Sequence, residues 1–152
     1  MVRVEVNELL AAPIDALFER LVDHESYASY AGVSSATLTR AGHEARNGAG
    51  AQRRVRLGAV VLWEDIVAFE RPTLMEYRIV KVRPPLVRHL LGRVSLSPEG
   101  EGTRVVWVSE FEVRIPGLGR VLEPRLRAEF DGAFRAMLHE MARRARHQTA
   151  SA

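Results

Sequence analysis

Residues 118–146 read LGRVLEPRLRAEFDGAFRAMLHEMARRAR, and this stretch decides the fold. Apolar side chains recur in it at steps of three and four, a spacing that places them on one face of an α-helix. They are Leu122, Leu126, Phe130, Ala133, Phe134, Met137, Leu138, Met141 and Ala145. A face this bulky must be covered, and the segments upstream hold the only large apolar surface for that purpose. The pattern therefore predicts a long C-terminal helix packed against the rest of the chain.

The segments upstream alternate like strands. Val2, Val4 and Val6 alternate with polar residues, which is the period of a strand with one buried face. A short helix is predicted from Ile14 to Val22, with a further turn or two as far as Tyr30. The other expected strands are Ser35–Arg40, Ala51–Leu57, Val60–Glu70, Leu74–Val82, Arg88–Ser97 and Arg104–Arg114. Short connections rich in Gly and Pro join them, so the sequence predicts an α+β fold with an antiparallel sheet around the C-terminal helix.

Length and composition indicate one globular domain, expected to span residues 1–148 with a frayed tail at 149–152. The chain has 152 residues, of which 47% are hydrophobic and 27% charged. It has no cysteine, which excludes disulfides, thiolate nucleophiles and sulfur-ligated metals. No apolar run reaches the ~18 residues of a membrane span, and the first residues do not resemble a signal peptide. We therefore expect a cytoplasmic protein.

The net charge is +3 and the isoelectric point is near 9.9. Lys81 is the only lysine among 22 basic residues, an imbalance typical of a GC-rich, bacterial genome. One basic cluster, residues 143–147, lies in the last turns of the predicted helix, where cations complement the helix dipole. A solvated helix end is the favoured interpretation. A contact with nucleic acid or an anionic membrane is the alternative, and nucleic acid is not expected as a partner.

Alternation within the strands predicts which side chains face the helix. In the last strand the inward set is Val105, Trp107, Ser109, Phe111 and Val113, and in the strand around Trp63 it is Val61, Trp63, Asp65, Val67 and Phe69. Between these strands the inward sets are Met75, Tyr77 and Ile79, and then Leu90, Val94 and Leu96, with His89, Arg93 and Ser95 on the opposite face. Pro124 predicts a kink, or a helix start, close to that residue.

These inward sets would line any space left between helix and sheet. The candidate ligand-binding residues are Trp63, Tyr77, Trp107, Phe111, Phe130, Phe134 and Met137. An aromatic and methionine stripe of this kind is also compatible with simple core packing. An apolar pocket with a few polar groups, however, is the usual form of a small-molecule site.

Asp65, Tyr77 and His24 are the candidate catalytic residues. Asp65 would be structural if it paired with Arg78 or Arg56, whereas burial without a partner would raise its pKa and suit it to acid–base chemistry. His24 would be either a general base near the pocket mouth or a histidine at a helix end with no functional role.

Known metal and phosphate motifs are not found in the sequence. His139-Glu140 lacks the second histidine of a helical zinc motif, and Gly48-Ala49-Gly50 lacks the lysine of a phosphate-binding loop. The sequence therefore predicts no metal and no cofactor.

Several short motifs occur in a familiar order. AAPIDALF at 11–18 is followed by LVDHESY at 21–27, Glu64-Asp65-Ile66, Arg71-Pro72, YRIV at 77–80, LGRV at 91–94 and GTRVVW at 102–107. With the closing helix, the chain resembles the polyketide cyclase/dehydrase-like branch of the START/Bet v 1 (SRPBCC) superfamily over nearly its whole length. The resemblance implies a helix-grip fold, β-α-α-β6-α, with a curved sheet and a hydrophobic-ligand pocket. It implies no particular reaction, because the family has no shared catalytic signature.

Three functions follow as hypotheses. The first is binding or transport of a small hydrophobic or aromatic molecule of lipid, polyketide or quinone type. The second is a polyketide cyclase, aromatase or dehydratase that uses the same cavity for proton transfer. The third is a toxin-like or partner-binding module that acts through its arginine-rich surface. A homodimer is compatible with each of them.

Overall fold

The structure is a computed structural model that describes residues 1–151, with side chains described as far as Gln148. Along the chain it contains β1 (Val2–Leu10), α1 (Ile14–Val22), a 3₁₀ helix (His24–Ser29), β2 (Ser35–Arg40), β3 (Gln52–Leu57), β4 (Val60–Glu70), β5 (Leu74–Arg83), β6 (Val87–Glu99), β7 (Gly102–Val113) and α2 (Gly119–Ser151). This order confirms the predicted α+β helix-grip fold.

The strands form one antiparallel sheet in the order β1-β7-β6-β5-β4-β3-β2. Strands β2 to β7 are a meander of consecutive hairpins, and β1 returns to pair with β7, with Val6 opposite Trp107. Because α1 and the 3₁₀ helix carry the chain from β1 to the far edge at β2, the two ends of the sheet are joined across the concave side. No helix within residues 1–151 is long and apolar enough to cross a membrane.

Helix α2 packs against α1, β1 and β7. Its C-terminal half is the best covered, with Leu138, Met141 and Ala145 almost completely buried. These residues share a core with Phe18 of α1 and with the valines of β1. Its N-terminal half is less covered, and Phe130 and Phe134 are only half-buried. The well-buried C-terminal half of α2 therefore anchors the helix in the core, and the less buried N-terminal half lies over the sheet.

The predicted boundaries differ from the structure at the ends of α2. The helix begins at Gly119, so Pro124 lies within it and does not mark its start. Pro124 is the sixth residue of α2 and lies beyond the first four N–H groups, which lack intrahelical acceptors, so it leaves the Arg120 carbonyl without a helical donor. The predicted frayed tail at 149–152 follows Gln148, the last residue whose side chain is described, and Ala152 lies outside the described residues.

Bulges shift the alternation in three strands, at Val67 of β4, Val80 of β5 and Leu90 of β6. The β4–β5 register shifts between Trp63 and Glu64 and again between Ile66 and Ala68, and the β6–β7 register shifts between His89 and Leu91. Because a bulge adds one residue to one strand, it moves the following side chains to the other face. Strand parity therefore does not hold along the whole of β4, β5 and β6.

Strands β5 and β6 pair only over part of their length. Ladder pairs join Leu74–Tyr77 of β5 to residues 92–95 of β6, and towards the connecting loop the two strands diverge. The ring of His89 lies in the gap, where its Nδ1 accepts a hydrogen bond from the Ile79 N–H at 3.1 Å. A side chain thus replaces the backbone partner that the ladder lacks at this point.

Candidate functional site

The face of β4 that was predicted to point inward is its outer face, so the prediction for Trp63 and Asp65 was wrong. Trp63 lies opposite Arg54 and Lys81, both exposed, and the Lys81 ammonium is 4.6 Å from the centroid of the indole ring. Trp63 is therefore not a lining residue of the concave side.

Asp65 has neither of the predicted arginine partners as its ion pair. Its Oδ1 accepts hydrogen bonds from Gln52 at 2.8 Å and from Arg40 at 3.2 Å. This arrangement satisfies the carboxylate on the outer surface of the sheet. Asp65 is structural in this setting and lies away from the concave side.

The inner face of β4 instead carries Glu64, which lies opposite Arg53 of β3. The two side chains form a buried salt bridge between Arg53 Nε and Glu64 Oε2. The sequence interpretation assigned the opposite face of β4 to the interior, but Glu64 is buried on this face, where its charge is stable because it is paired. The sequence of β3 does indicate this orientation. Arg53 has the same parity as the apolar residues Val55 and Leu57, which predicts that its side chain points inward with theirs.

Arg53 is the centre of a buried polar cluster, which we define as His24, Tyr27, Arg53, Glu64 and Tyr77. The Arg53 guanidinium carbon lies 4.6 Å from the ring centroid of Tyr27 and 5.6 Å from that of Tyr77. Burial alone would lower the pKa of Arg53, but Glu64 and Tyr27 beside it outweigh this effect and raise the pKa. The cluster therefore holds a permanent cation, paired with one carboxylate, in an aromatic setting.

His24 is fully buried and is engaged through both ring nitrogens. Its Nδ1 lies 3.0 Å from Arg53 Nη1, and its Nε2 lies 2.9 Å from the Asn47 carbonyl oxygen. Arg53 has only donors and the carbonyl only accepts, so the proton is on Nε2 and Nδ1 is an acceptor. Burial, with the Arg53 charge, lowers the pKa of His24 to about 3. His24 thus joins the 3₁₀ helix to β3, and it is not at the surface as a pocket-mouth base.

Tyr77 faces the concave side, as predicted. Its hydroxyl oxygen accepts a hydrogen bond from Trp107 Nε1 at 2.9 Å. Burial, and then the Glu64 charge, raise the pKa of Tyr77, so the hydroxyl keeps its proton. Its ring lies against β6 at Gly92, where an added Cβ would come within 3.0 Å of the ring carbons.

The aromatic side chains of α2 and β7 contact one another. The rings of Trp107 and Phe134 are stacked with their centroids 3.9 Å apart and an interplanar angle of 4°. Phe111 and Phe130 form an edge-to-face pair at 5.2 Å. The predicted inward face of β7 is correct, and four of the candidate lining residues form a continuous aromatic wall where α2 crosses β7.

His89 is the second buried histidine, and its predicted outward orientation was wrong. The bulge after His89 places its side chain on the same face as that of Val94. His89 Nε2 lies 3.3 Å from Ser109 Oγ, while Nδ1 accepts from Ile79. Burial, and then the charge of Arg78, lower the pKa of His89 to about 4. A neutral histidine therefore closes the gap between β5 and β6.

Helix α2 does not fully cover the concave side of the sheet. Several apolar side chains on the inner face of the sheet or on α2 remain partly accessible to solvent: Leu38, Leu62, Ile79, Phe134 and Met137. The reason is that α2 packs mainly against α1, β1 and β7, at one side of the concave face. We use the name concave-face cavity for the partly exposed inner region that these five residues mark.

A groove of about 580 Å³ lies between the 3₁₀ helix and α2. Its lining residues are Ser29, Tyr30, Ala31, Gly32, Ala133, Ala136, Met137, Glu140 and Arg144. Met137 borders both this groove and the concave-face cavity. The alanines of α2 leave room, whereas Arg144 lies across the groove rim with its guanidinium carbon 4.1 Å from the Tyr30 ring centroid.

The sequence matches one family of known proteins along almost its whole length. The model of the family described as "Polyketide cyclase / dehydrase and lipid transport" matches residues 1–146. No curated protein is similar to this sequence at a significant level.

Solved structures share the fold at low sequence identity. A protein from Thermus thermophilus is 22% identical with a TM-score of 0.79, and the alignment covers 99% of each chain. A START superfamily protein from Mycobacterium smegmatis is 15% identical with a TM-score of 0.76, covering 93% of this chain and 97% of that one. An aromatase/cyclase from Streptomyces sp. R1128 is 20% identical with a TM-score of 0.76, covering 97% and 94%. At these identities the likeness shows the fold alone.

Proposed function

The chain belongs to the polyketide cyclase/dehydrase and lipid transport family, and from this premise we propose that it binds a small hydrophobic molecule in the concave-face cavity. The ligand is of lipid, polyketide or quinone type, with one polar end. It enters through the groove between the 3₁₀ helix and α2. It then lies with its apolar part between α2 and the sheet.

The observation that carries this proposal is the partial exposure of Leu62, Ile79 and Met137 on surfaces that face inward. Apolar side chains that face the interior of a fold are normally buried, because burial contributes about 25 cal/mol for each Å² removed from water. A ligand that filled this space would complete that burial. The groove beside Met137 supplies an access route of suitable size.

The buried polar cluster supports recognition of a polar end. The Tyr77 hydroxyl uses its oxygen as the acceptor for Trp107, so its own proton is left to be donated. The raised pKa keeps that proton in place at neutral pH. A carbonyl or hydroxyl oxygen of a ligand is the natural acceptor for such a donor.

The geometry gives less support to the alternative of a cyclase or dehydratase. Of the three catalytic candidates, Asp65 is on the outer face and His24 has both nitrogens engaged. Tyr77 alone faces the cavity, as a protonated donor. A single donor orients a ligand, whereas acid–base catalysis also needs a group that accepts a proton near neutral pH.

The two tryptophans provide the test. Trp63→Phe removes the outer indole and leaves Trp107 as the sole tryptophan. We expect this variant to bind the apolar probe N-phenyl-naphthylamine with unchanged affinity and to show energy transfer from Trp107 to the probe. Phe134→Ala and Met137→Glu in the same background should each weaken binding about tenfold, because each removes apolar contact with the ligand.

The proposal would be contradicted by two results. One is unchanged probe affinity in Phe134→Ala and Met137→Glu, with both variants folded by circular dichroism. The other is energy transfer that depends on Trp63 and not on Trp107. If neither result is found, native mass spectrometry of the purified protein should detect a co-purifying apolar compound, and its mass would identify the class of ligand.

A further inference from the structure

The outer face of β3, β4 and β5 carries a group of cations that lack carboxylate partners. They are Arg54, Arg56, Arg78, Lys81 and Arg83, all of them exposed, and we call this surface the cationic face. Among the residues that the structure describes, none of the five takes part in an ion pair. Unpaired positive charge is thus concentrated on one side of the sheet.

Arginines elsewhere on the surface are mostly paired. Examples are Arg3 with Glu110, Arg93 with Glu76, Arg104 with Glu99 and Arg143 with Glu140. On the cationic face, the carboxylate opposite Arg78 is Asp65, and it is already held by Arg40 and Gln52. Concentrated charge of one sign repels itself and raises the local potential, which favours an anionic partner.

The cations are arranged in a regular array. Arg54 and Lys81 flank Trp63 across three strands, and Arg56 and Arg83 flank Val61 in the next row. Residues two apart on a strand are about 6.7 Å apart, and β3 and β5 are about 9.6 Å apart. The positive charges therefore cover an extended patch and do not line a narrow cleft.

Apolar side chains stand between the cations. Val67 and Val80 are 49% and 50% exposed, at the irregular positions of β4 and β5. The indole of Trp63 lies on the same face of the sheet, with the Lys81 ammonium over its ring. Tryptophan, exposed aliphatic residues and basic side chains in one surface are the composition of proteins that bind at a lipid headgroup region.

We infer that the cationic face docks the protein on a membrane surface that contains anionic lipids. Each arginine or lysine near such a surface is attracted by its negative potential, and Trp63 and the two valines reach the boundary between headgroups and acyl chains. Single-stranded nucleic acid fits less well, because its sites combine a basic groove with several stacking rings. The cationic face offers one aromatic ring, that of Trp63, and its charges are spread over β3 and β5.

This inference does not rest on the proposed ligand, because the cationic face and the concave-face cavity lie on opposite sides of the sheet. A protein that failed to bind any apolar ligand could still bind vesicles through the cationic face. The reverse is also true, so the two proposals succeed or fail separately.

Vesicle co-sedimentation tests the inference. The full chain is mixed with phosphatidylcholine vesicles with and without phosphatidylserine, in about 0.1 M and about 1 M salt. We expect binding only to the vesicles with phosphatidylserine, and loss of that binding at the higher salt. Arg54→Glu with Arg56→Glu should reduce binding about tenfold or more.

A matched control changes the net charge equally at another place. Arg120→Glu with Arg127→Glu reverses two exposed arginines on α2 and should leave vesicle binding within about twofold of the wild type. Should the β3 variant fail to fold by circular dichroism, Arg78→Glu with Arg83→Glu on β5 applies the same test.

Three patterns of vesicle binding would overturn the inference. They are equal binding to neutral and anionic vesicles, wild-type binding by the folded β3 or β5 variants, and an equal loss in the α2 control. Absence of vesicle binding would also overturn it. If the cationic face bound poly-glutamate or oligothymidylate and no vesicles, its partner would be an acidic protein or a nucleic acid.

Discussion

The indole N–H of Trp107 donates a hydrogen bond to the hydroxyl of Tyr77 at 2.9 Å, although their strands are separated by β6. The contact is possible because Gly92, the β6 residue opposite Tyr77, has no side chain. The pair joins the aromatic wall to the polar cluster, and Phe134 stacks on its indole. The stability of the candidate site therefore depends on a position that no ligand would touch.

Gly92→Ala should destabilise the protein by about 1–3 kcal/mol, because the new methyl group forces the Tyr77 ring to move in a packed interior. Urea denaturation measures this change. Gly132→Ala in α2 is the control, since a Cβ there meets nothing within 4 Å and replaces a poor helix former, so its stability should be equal or higher. Equal effects in the two variants would show that Tyr77 does not need the space at Gly92.

Glu64→Gln should destabilise the protein by about 3–5 kcal/mol, because it leaves the Arg53 charge buried without its counterion. Combining it with Arg53→Met should recover part of this loss, because the buried charge is then removed. Glu76→Gln breaks the more exposed pair with Arg93 and should cost less than about 1 kcal/mol. Chemical denaturation of the variants measures these differences, and a similar cost at both sites would contradict the buried-pair interpretation.

Acid should destabilise the fold through His24 and His89. Their pKa values fall from 6.5 to about 3 and about 4 on folding, so the unfolded chain binds protons that the folded chain excludes. Their contribution to stability is complete above pH 6.5 and is lost as the pH falls towards 4, at about 1.4 kcal/mol per pH unit for each histidine. Denaturation curves across this pH range measure the slope.

Substitution of His89 separates the histidine contribution to acid destabilisation from the contribution of the carboxylates. His89→Gln should reduce the slope of stability against pH by the share of one histidine. An identical slope in wild type and His89→Gln would mean that His89 titrates normally in the folded protein.

Arg144→Met should speed the exchange of an apolar probe. Arg144 connects α2 to the 3₁₀ helix by a hydrogen bond of 2.6 Å to Ser29 Oγ and by its position over the Tyr30 ring, both at the groove rim. Without these contacts we expect the release rate to rise about threefold to tenfold, from a loss of about 1 kcal/mol. Stopped-flow fluorescence measures the rate. Arg143→Met is the control, because the Arg143 guanidinium donates its hydrogen bonds to Glu140, and a rise in that variant too would contradict the rim assignment.

The sequence predicted the order of elements and the faces of β1 and β7 correctly. Those strands pair without a register shift, and in β7 the inward residues Trp107 and Phe111 are clearly more apolar than Glu110 and Glu112. In such strands, alternation alone identifies the buried face. The same contrast on α2 identified the helix and its covered stripe.

Strand β4 shows why the rest could not be predicted in the same way. Its two faces are almost equally apolar, and the inner one carries Glu64, whose burial depends on Arg53 in another strand. Bulges then change the parity within the strand, so that Phe69 reaches Phe18 although Trp63 points outward. Pairing of charges and bulge positions are tertiary properties, which alternation in one strand does not encode.

The divergence of β5 from β6 has a mechanical consequence. Where two strands are joined by a full ladder, separating them breaks a row of peptide hydrogen bonds. Here β5 is joined to the His89 imidazole of β6 by the Ile79 N–H, and the other ring nitrogen of His89 contacts Ser109 of β7. Separating β5 from β6 at that end of the hairpin therefore breaks one hydrogen bond, from the Ile79 N–H to His89 Nδ1. Under the proposed function, this weakly joined end of β5 and β6 would let the sheet widen to fit ligands of different width while the remaining ladders stay intact.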